Sequence, residues 1–555
     1  MTRRRTIGAL AATCLAVALA LTGCVGIPSS GRVNQGPLVQ NGGQQAPGVD
    51  LPLPPRRNAS RTEMVNDFLQ AATDATGNYQ IAKEFLTAKA AQTWDPTKSV
   101  LVRERPATPE DIGANTVDYT VSTKASVNSL GVYVEQSGVS TQTLSYTFTK
   151  VDGQWRISDL PNGIVLSRTS FENSFDAYPV YFFDPDYRYL VPDLRWFPTE
   201  SAVQDRIVSA LLAGPSDWLG QGVVATAFPA GVQLNPPVAV HSTTATVDFS
   251  ANAASTKAQV RGRMLQQLEE SLQKTLISSV NMTARGAPLT FPESQVSRAQ
   301  PAIAIPGGPL LQRGKQFGFY PGLQSLGGIS SQVVDLDGTA AVVDRAGSTG
   351  AVLTKTGVYL VTDSAHTLVD GRPGLIAPSM DTFGYVWSVP SASPSAIQAT
   401  GADGVVHAVT SVLPTDATVV SLNVSHDGTR VLLYLSTSGG PRLVVAGISR
   451  RGGVPTGLGE LLDLPVSSAD PIDATWVDST TVAALASDGV GDTVISYVIG
   501  GAPGDTSRTE GAVRLVSGSD ADPLRLLTDT GQVQQLRASG WQNIGVVASI
   551  LATQQ

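Results

Sequence analysis

A segment repeated four times in the carboxyl-terminal half most constrains the fold of this 555-residue chain. Residues 333–343, 378–387, 422–433 and 476–483 each combine an acidic turn with a run of apolar or β-branched residues, and a fainter copy lies near Trp541. The acidic residues are Asp337, Asp381, Asp427 and Asp478. Their spacing of about 44 to 51 residues is the length of one four-stranded blade of a β-propeller.

We therefore expect residues 310–555 to form an all-β propeller with about five blades, six being the upper count. Each acidic turn would join two strands, and the apolar run after it would fill the core between blades. Residues 443–446 and 494–498 would supply other strands of the blades. A β-sandwich with coincidentally similar turns is the alternative.

The amino-terminal segment predicts secretion and lipid attachment. Arginines at positions 3–5 precede an uncharged, mostly apolar run at 7–21, which is shorter than the roughly 20 residues of a membrane-spanning helix. The Leu-Thr-Gly-Cys sequence at 21–24 resembles a bacterial lipobox. That resemblance implies signal-peptide cleavage between Gly23 and Cys24, an S-diacylglycerol group on Cys24 and an N-acyl group on its amino terminus. The alternatives are an ordinary signal peptide with an incidental cysteine, or an uncleaved anchor.

The segment after the signal peptide (1–23) predicts a lipidated tether. Residues 24–58 are rich in proline, glycine, glutamine and asparagine, so we expect them to be disordered and to hold the folded part away from the membrane. The other cysteine, Cys14, lies within the signal peptide, so the processed protein could form no internal disulfide. The net charge of −8 argues against nucleic acid as a partner, because such binding needs clustered lysine and arginine.

Residues 59–165 predict an α+β amino-terminal domain. Apolar residues recur at helical spacing over 60–75 and 79–92 and then alternate at strand spacing over 117–121 and 144–148. Asp152-Gly153 is typical of a hairpin turn. Helices followed by a curved antiparallel sheet resemble the cone-like nuclear-transport-factor fold, which serves many unrelated functions.

Residues 175–295 predict a second α+β domain with four landmarks in order. An apolar strand ends at an acid over 180–184, Leu-Ala-Gly-Pro follows at 212–215, Pro-Ala-Gly at 229–231, and a strand with an internal acid at 245–250. This order resembles the sporulation and germination domain called GerMN, and implies a role in interactions at the cell envelope. We expect its helices at 202–212 and 260–277.

The histidines and a glycine-rich segment give no sign of catalysis, a metal or a cofactor. His241, His366, His407 and His426 lack metal-ligand spacing, and we expect His426 to be exposed. The chain has no Gly-x-Ser-x-Gly motif. Residues 308–316 only partly match a phosphate loop and are interpreted as a linker.

Acidic residues leave one catalytic alternative open. Asp335, Asp337 and Asp381 could line a hydrolytic cleft, because glycosidases use paired carboxylates. Their repetition favours a structural role instead, since aspartate accepts backbone N–H bonds in turns. Calcium could also bind at one turn, although no loop has the acid pattern of a dedicated site.

The order of lipobox, tether, GerMN-like domain and propeller resembles the LpqB family of actinobacterial envelope lipoproteins along nearly the whole chain. The resemblance implies a non-enzymatic protein that is lipid-anchored at the extracytoplasmic face of the cell membrane. It also implies contact with the extracytoplasmic domain of a sensor histidine kinase, MtrB, and modulation of a two-component system linked to cell envelope and division. Two alternatives are a receptor for a wall fragment or small ligand in the propeller channel, and a cell-wall hydrolase.

Overall fold

The computed structural model describes residues 52–199, 202–220, 222–300, 308–517, 524–538 and 540–555. Contacts join the chain from Pro52 to Gln555 into one compact unit. Every helix within the described ranges is too short or too polar to cross a lipid bilayer.

Helices packed on a mostly antiparallel sheet form the first folded region. The helices are α1 (Arg61–Ala71), α2 (Thr76–Lys83) and α3 (Ala88–Thr93). The strands are β1 (Ser99–Arg103), β2 (Glu110–Asp111), β3 (Thr116–Asn128), β4 (Tyr133–Val151), β5 (Gln154–Asp159) and β6 (Ile164–Ser167). They lie in the order β5-β4-β3-β1-β6, with β2 paired to β3. The predicted hairpin at Asp152-Gly153 is confirmed between β4 and β5.

Local sequence accounts for the helices of this region. Ser60 and Glu63 form a capping box at the start of α1, and Phe68 on its inner face packs against the ring of Trp94. The single helix predicted over 79–92 is wrong. The chain leaves helical geometry after Lys83 because the backbone at 85–87 pairs with Ile157, and Thr87 then caps α3.

The second region contains a strand ribbon, a small sheet and helices that cover them. Its elements are α4 (Arg168–Ser174), β7 (Phe175–Phe183), β8 (Leu190–Pro198), α5 (Val203–Ala213), β9 (Ala239–His241), β10 (Thr244–Phe249), α6 (Ala258–Leu272), β11 (Ser279–Ala284) and β12 (Ala287–Pro288). Strands β7 and β8 are antiparallel, and the sheet order is β12-β11-β10-β9 with β10 parallel to β11. The helix predicted over 202–212 is confirmed. The one predicted over 260–277 ends five residues early, at Leu272, and Leu276 has a left-handed backbone.

The carboxyl-terminal region is all β apart from one helix in its described residues, α7 (Gly328–Asp335). Five four-stranded sheets follow in chain order, which we call blades 1 to 5. The hairpin preceding α7 is β13 (Leu310–Arg313) and β14 (Gln316–Phe319).

Blade 1 contains β15 (Ala340–Val343), β16 (Thr349–Thr354), β17 (Gly357–Thr362) and β18 (His366–Asp370). Blade 2 contains β19 (Ser379–Met380), β20 (Val386–Ser388), β21 (Gln398–Thr400) and β22 (Val406–Ala408). Blade 3 contains β23 (Thr418–Val424), β24 (Arg430–Thr437), β25 (Gly440–Arg451) and β26 (Val454–Leu464). Blade 4 contains β27 (Asp470–Trp476), β28 (Thr481–Ser487), β29 (Asp492–Val498) and β30 (Pro503–Thr509). Blade 5 contains β31 (Ala512–Val516), β32 (Arg525–Thr528), β33 (Gln532–Arg537) and β34 (Gly540–Val547).

A three-stranded sixth blade closes the ring. Its inner strand, β35 (Ile550–Ala552), pairs with β13, which pairs with β14. Strand β35 also contacts the inner strands of blades 1 and 5. The described sheets therefore form six blades, the upper count that the sequence predicted. Residues 308–316, interpreted as a linker, instead supply β13 and the Gly314-Lys315 turn of this closing blade.

The predicted blade turn at Asp337, in the first copy of the sequence repeat, is wrong. Residues 333–335 belong to α7, because Ile329 and Val333 lie one helical turn apart and are both buried in the core beside blade 1. Asp337 follows that helix with a left-handed backbone and joins no pair of strands. The equivalent turn lies seven residues later, at Asp344, where β15 turns into β16.

Candidate functional site: the junction of three regions

Two site residues predicted from the sequence lie outside the part of the chain that the structure describes. These are Gly23 and Cys24, the predicted cleavage site and lipid attachment site. Their roles remain predictions.

The acids of the blade turns act as acceptors for neighbouring groups. Asp381 accepts backbone N–H bonds from Phe383 and Tyr385 at 3.0 and 2.9 Å through Oδ1. Its Oδ2 accepts from the Trp387 indole at 2.8 Å and from Arg450 at 2.5 Å. Both oxygens of this buried carboxylate therefore accept two bonds each, which is the structural role that the repeat favoured.

The other turn acids follow the same pattern. Asp427 is buried and accepts bonds from Ser425 Oγ, the Thr429 backbone and the Arg430 guanidinium. Burial raises the pKa of Asp427, but Arg430 and these hydrogen bonds outweigh it, so the pKa lies below its ordinary value. Asp478 accepts from the backbone N–H groups of residues 480 and 481, both at 2.7 Å.

The acids considered as a hydrolytic pair have different environments. Asp335 and Asp337 are exposed at the end of α7, whereas Asp381 is buried and ion-paired with Arg450. Within the described ranges no group of three histidine, cysteine or acidic side chains is arranged to hold a metal ion.

His426 differs from the sequence expectation. The residue is partly buried rather than exposed, and within the described structure its buried Nδ1 has no hydrogen-bond partner. Burial lowers the pKa of His426 to about 4, so the ring is neutral at pH 7. Of the other histidines, His241 is exposed, His366 contacts Gln332, and His407 lies edge-on to Tyr385.

Trp196 on β8 contacts all three folded regions. Its ring lies 5.1 Å from Phe171 and 5.6 Å from Tyr133, between ring centres. Its indole Nε1 donates to the backbone oxygen of Gly500, which follows β29 in blade 4, at 2.8 Å. One side chain thus connects the first sheet, the β7–β8 ribbon and the propeller.

A buried ion pair beside Trp196 strengthens the same junction. Arg195 donates to Asp193 at 2.6 Å and to the backbone oxygen of Leu130, in the first region, at 3.0 Å. Asp193 also accepts from the backbone and hydroxyl of Ser216. The charges of Arg195 and Asp193 are therefore paired and hydrogen-bonded where water is excluded.

A second contact joins the β7–β8 loop to blades 2 and 3. The ring of Phe383, in the turn of blade 2, lies 4.1 Å from the guanidinium carbon of Arg188 and 3.9 Å from that of Arg450. A cation over an aromatic face is attractive at these distances. Because Arg450 also pairs with Asp381, the loop of the second region is coupled to a propeller turn.

A glycine of blade 3 also lies in close contact with the second region. A Cβ on Gly447 would lie 2.6 Å from both γ-methyl carbons of Val223 and 2.9 Å from the backbone oxygen of Trp218. Trp218, Leu219 and Val223 share an apolar core with Leu432 and other residues of blades 3 and 4. Trp218 and Val223 therefore pack directly on the blade 3 backbone.

Sequence reasoning missed this junction. It treated Phe383 only as part of a blade, and Arg450, Trp196 and Trp218 carried no motif. An aromatic residue next to an arginine, as at Arg195-Trp196, is a weak signal, and its meaning depends on which residues face it in space.

Three family models match successive parts of the chain. Residues 54–172 match "Lipoprotein LpqB, N-terminal domain". Residues 179–290 match "Sporulation and spore germination", and residues 322–549 match "Lipoprotein LpqB beta-propeller domain". The chain belongs to the LpqB lipoprotein family. This confirms the resemblance in the sequence and the multidomain fold, with the GerMN-like domain between the two LpqB domains.

Curated relatives carry the same name. A Lipoprotein LpqB from Cutibacterium acnes (strain DSM 16379 / KPA171202) is 32% identical over 50% of this chain and 47% of its own length. One from Thermobifida fusca (strain YX) is 33% identical over 45% of this chain and 42% of its own length. The chain thus matches less than half the length of these relatives.

Solved structures resemble parts of the chain weakly. The tandem GerMN domains of the sporulation protein GerM from Bacillus subtilis are 16% identical, with a TM-score of 0.19. The similarity covers 26% of this chain and 59% of that one. A score this low carries no argument about function.

Proposed function

We propose that this protein is a non-enzymatic, lipid-anchored extracytoplasmic protein that binds and modulates a sensor histidine kinase of the MtrB type. The single observation that supports a binding role best is the junction at Trp196. That side chain contacts the first region, the GerMN-like region and blade 4, so the surfaces of all three are presented together. The family resemblance supplies the kinase as the partner.

The anchor would act through local concentration. Lipid on Cys24, with a tether over 24–58, would keep the folded part close to a membrane kinase. For short flexible tethers the effective concentration reaches the order of millimolar, so a weak contact would be occupied. The protein would change the kinase by binding one of its conformational states more tightly than another.

The anchor is tested with Cys24→Ser. The serine has no thiol to receive diacylglycerol, so we expect lipid labelling in cells to vanish and the unprocessed precursor to accumulate. The unchanged chain is the positive control. Lipid labelling that persists in the Cys24→Ser variant would contradict attachment at this cysteine.

The partner is tested by crosslinking in cells and by reconstitution. We expect the tethered protein to crosslink to the extracytoplasmic domain of the kinase. A form released by a cleavable signal peptide should crosslink several-fold less at equal abundance, because it loses local concentration. The purified 52–555 unit, added in excess to the kinase in proteoliposomes, should change kinase phosphorylation. Absence of the crosslink together with unchanged phosphorylation would reject the kinase as partner.

A further inference from the structure

A cleft of about 670 Å³ lies between blades 6 and 1 of the propeller. One wall is the end of β14, with Phe319, and the loop that follows it, with Tyr320 and Gln324. The opposite wall is the turn from Arg345 to Gly347 between β15 and β16, and Gln554 also lines the space. The volume is in the range of sites for small organic ligands.

Arg345 gives the cleft its charge. Among the described residues that line the cleft, Arg345 is the one with a charged side chain. Across the described chain its guanidinium has no ion pair and no hydrogen bond, although the chain as a whole is acidic, with a net charge of −8. A partly buried arginine without a carboxylate partner is suited to binding an anion from solution.

Gln554 fixes the turn that carries Arg345. The residue is 3% exposed, and its Nε2 donates to the backbone oxygen of Arg345 at 3.0 Å. That bond ties the blade 1 turn to the segment that follows β35, so the guanidinium of Arg345 is carried on a backbone held in place at the edge of the cleft.

Arg345 and the aromatic wall restrict the chemistry of the ligand. Inorganic phosphate is bound by several donors, whereas this cleft offers one guanidinium and two aromatic side chains, Phe319 and Tyr320. An acylated amino acid or short peptide has a carboxylate for Arg345 and an apolar body for the aromatic wall. We infer that this cleft binds a small peptide-like carboxylate, independently of any kinase partner.

Gln555, next to the lining residue Gln554, joins two blades. It donates from its backbone to Val343 at 2.8 Å and from its side chain to Val424, at the ends of the inner strands of blades 1 and 3. These bonds hold the end of the chain, and with it Gln554, beside the cleft.

The test uses the 52–555 unit and calorimetric titration with N-acetyl-alanyl-alanine. We expect saturable binding that weakens about tenfold or more when the carboxylate is replaced by a carboxamide, because a charge-assisted bond is lost. Arg345→Ala should weaken binding by a similar factor, and Arg345→Lys by less. Arg313→Ala, which removes an exposed arginine of β13 outside the cleft, is the matched control and should bind normally.

A second variant tests whether binding needs the open space of the cleft as well as the charge of Arg345. Ala346→Trp fills the exposed rim of the cleft and leaves Arg345 in place, so it should abolish binding while the melting temperature stays unchanged. Equal affinity for the acid and the carboxamide, or normal binding by Arg345→Ala, would overturn the inference. So would binding of inorganic phosphate alone, or no binding of the peptide at millimolar concentration.

Discussion

The carboxylate of Asp381 neutralises Arg450 where neither charge reaches water. Asp381→Asn removes the negative charge and leaves Arg450 as a buried, unpaired cation. Breaking a buried pair from one side costs about 3–5 kcal/mol, which is a large part of the stability of a domain. We therefore expect a marked loss in the free energy of unfolding, measured by urea denaturation.

Asp337→Asn is the matched control, because Asp337 carries the same sequence pattern but is exposed after α7. Its loss should be about 0.5 kcal/mol or less. If the two variants lost equal stability, the buried pair would not be the reason. Cellular activity of both variants should follow the abundance of folded protein.

His426 makes stability depend on pH. Its folded pKa of about 4 lies below the value of about 6.5 in an unfolded chain, so the unfolded chain binds more protons between these values. The free energy of unfolding therefore falls as pH decreases from 6.5 towards 4, by about 2–3 kcal/mol in total. His426→Asn should remove this part of the decrease.

The measurement is urea denaturation at pH 7 and pH 4.5. His241→Asn is the control, because His241 is exposed, and it should keep the pH dependence of the unchanged protein. A His426→Asn variant with the same pH dependence as the unchanged protein would show that this ring does not titrate as its burial implies.

At the scale of elements, Trp218 and Val223 fit against strand β25 because Gly447 has no side chain. Gly447→Ala would place a methyl group 2.6 Å from the γ-methyl carbons of Val223. Overpacking of this kind costs about 1–3 kcal/mol. We expect a lower melting temperature and faster proteolysis next to Val223.

Gly439 provides the control in the same blade. The nearest atom to a Cβ there is the Thr437 hydroxyl at 3.7 Å, so Gly439→Ala should be tolerated. Adding Val223→Ala to Gly447→Ala should restore part of the lost stability, because it removes both clashing methyl groups. Failure of this second change to help would place the strain elsewhere.

Turns and helices could be predicted from the sequence where the local residue pattern and the tertiary packing favour the same structure. The turns at Asp381, Asp427 and Asp478 were found because a tight turn needs an acceptor at a fixed position. Asp337 carries the same local pattern, but the residues just before it form a helix because Ile329 and Val333 pack into the core beside blade 1. The junction could not be predicted, because Trp196 and Gly500 are about 300 residues apart and no local pattern encodes their contact.

At the scale of the molecule, the ring depends on a strand of three residues. Strand β35 pairs with β13 and lies between the inner strands of blades 1 and 5. Truncation of the 52–555 unit after Gly500 removes this strand together with blade 5 and the outer strand of blade 4. The opened ring would expose sheet edges and faces, so we expect loss of cooperative unfolding and aggregation.

A shorter truncation isolates the closing strand. Ending the chain after Ser549 removes β35 and the three residues that follow it and keeps β13 and β14, and we expect it to destabilise the fold as well. Removal of residues 1–51 is the control that leaves the 52–555 unit complete. A monodisperse protein truncated after Ser549, with unchanged melting temperature by calorimetry, would contradict closure by β35.

The closing blade also sets the order in which the protein can fold during synthesis. Strands β13 and β14 emerge about 240 residues before their partner β35. Until then one edge of that hairpin is unpaired, while each of blades 1 to 5 can form from neighbouring sequence. Contacts between distant parts of a chain slow folding. The last step of folding therefore waits for the last strand, and a chain interrupted anywhere before residue 550 stays open to chaperones and proteases.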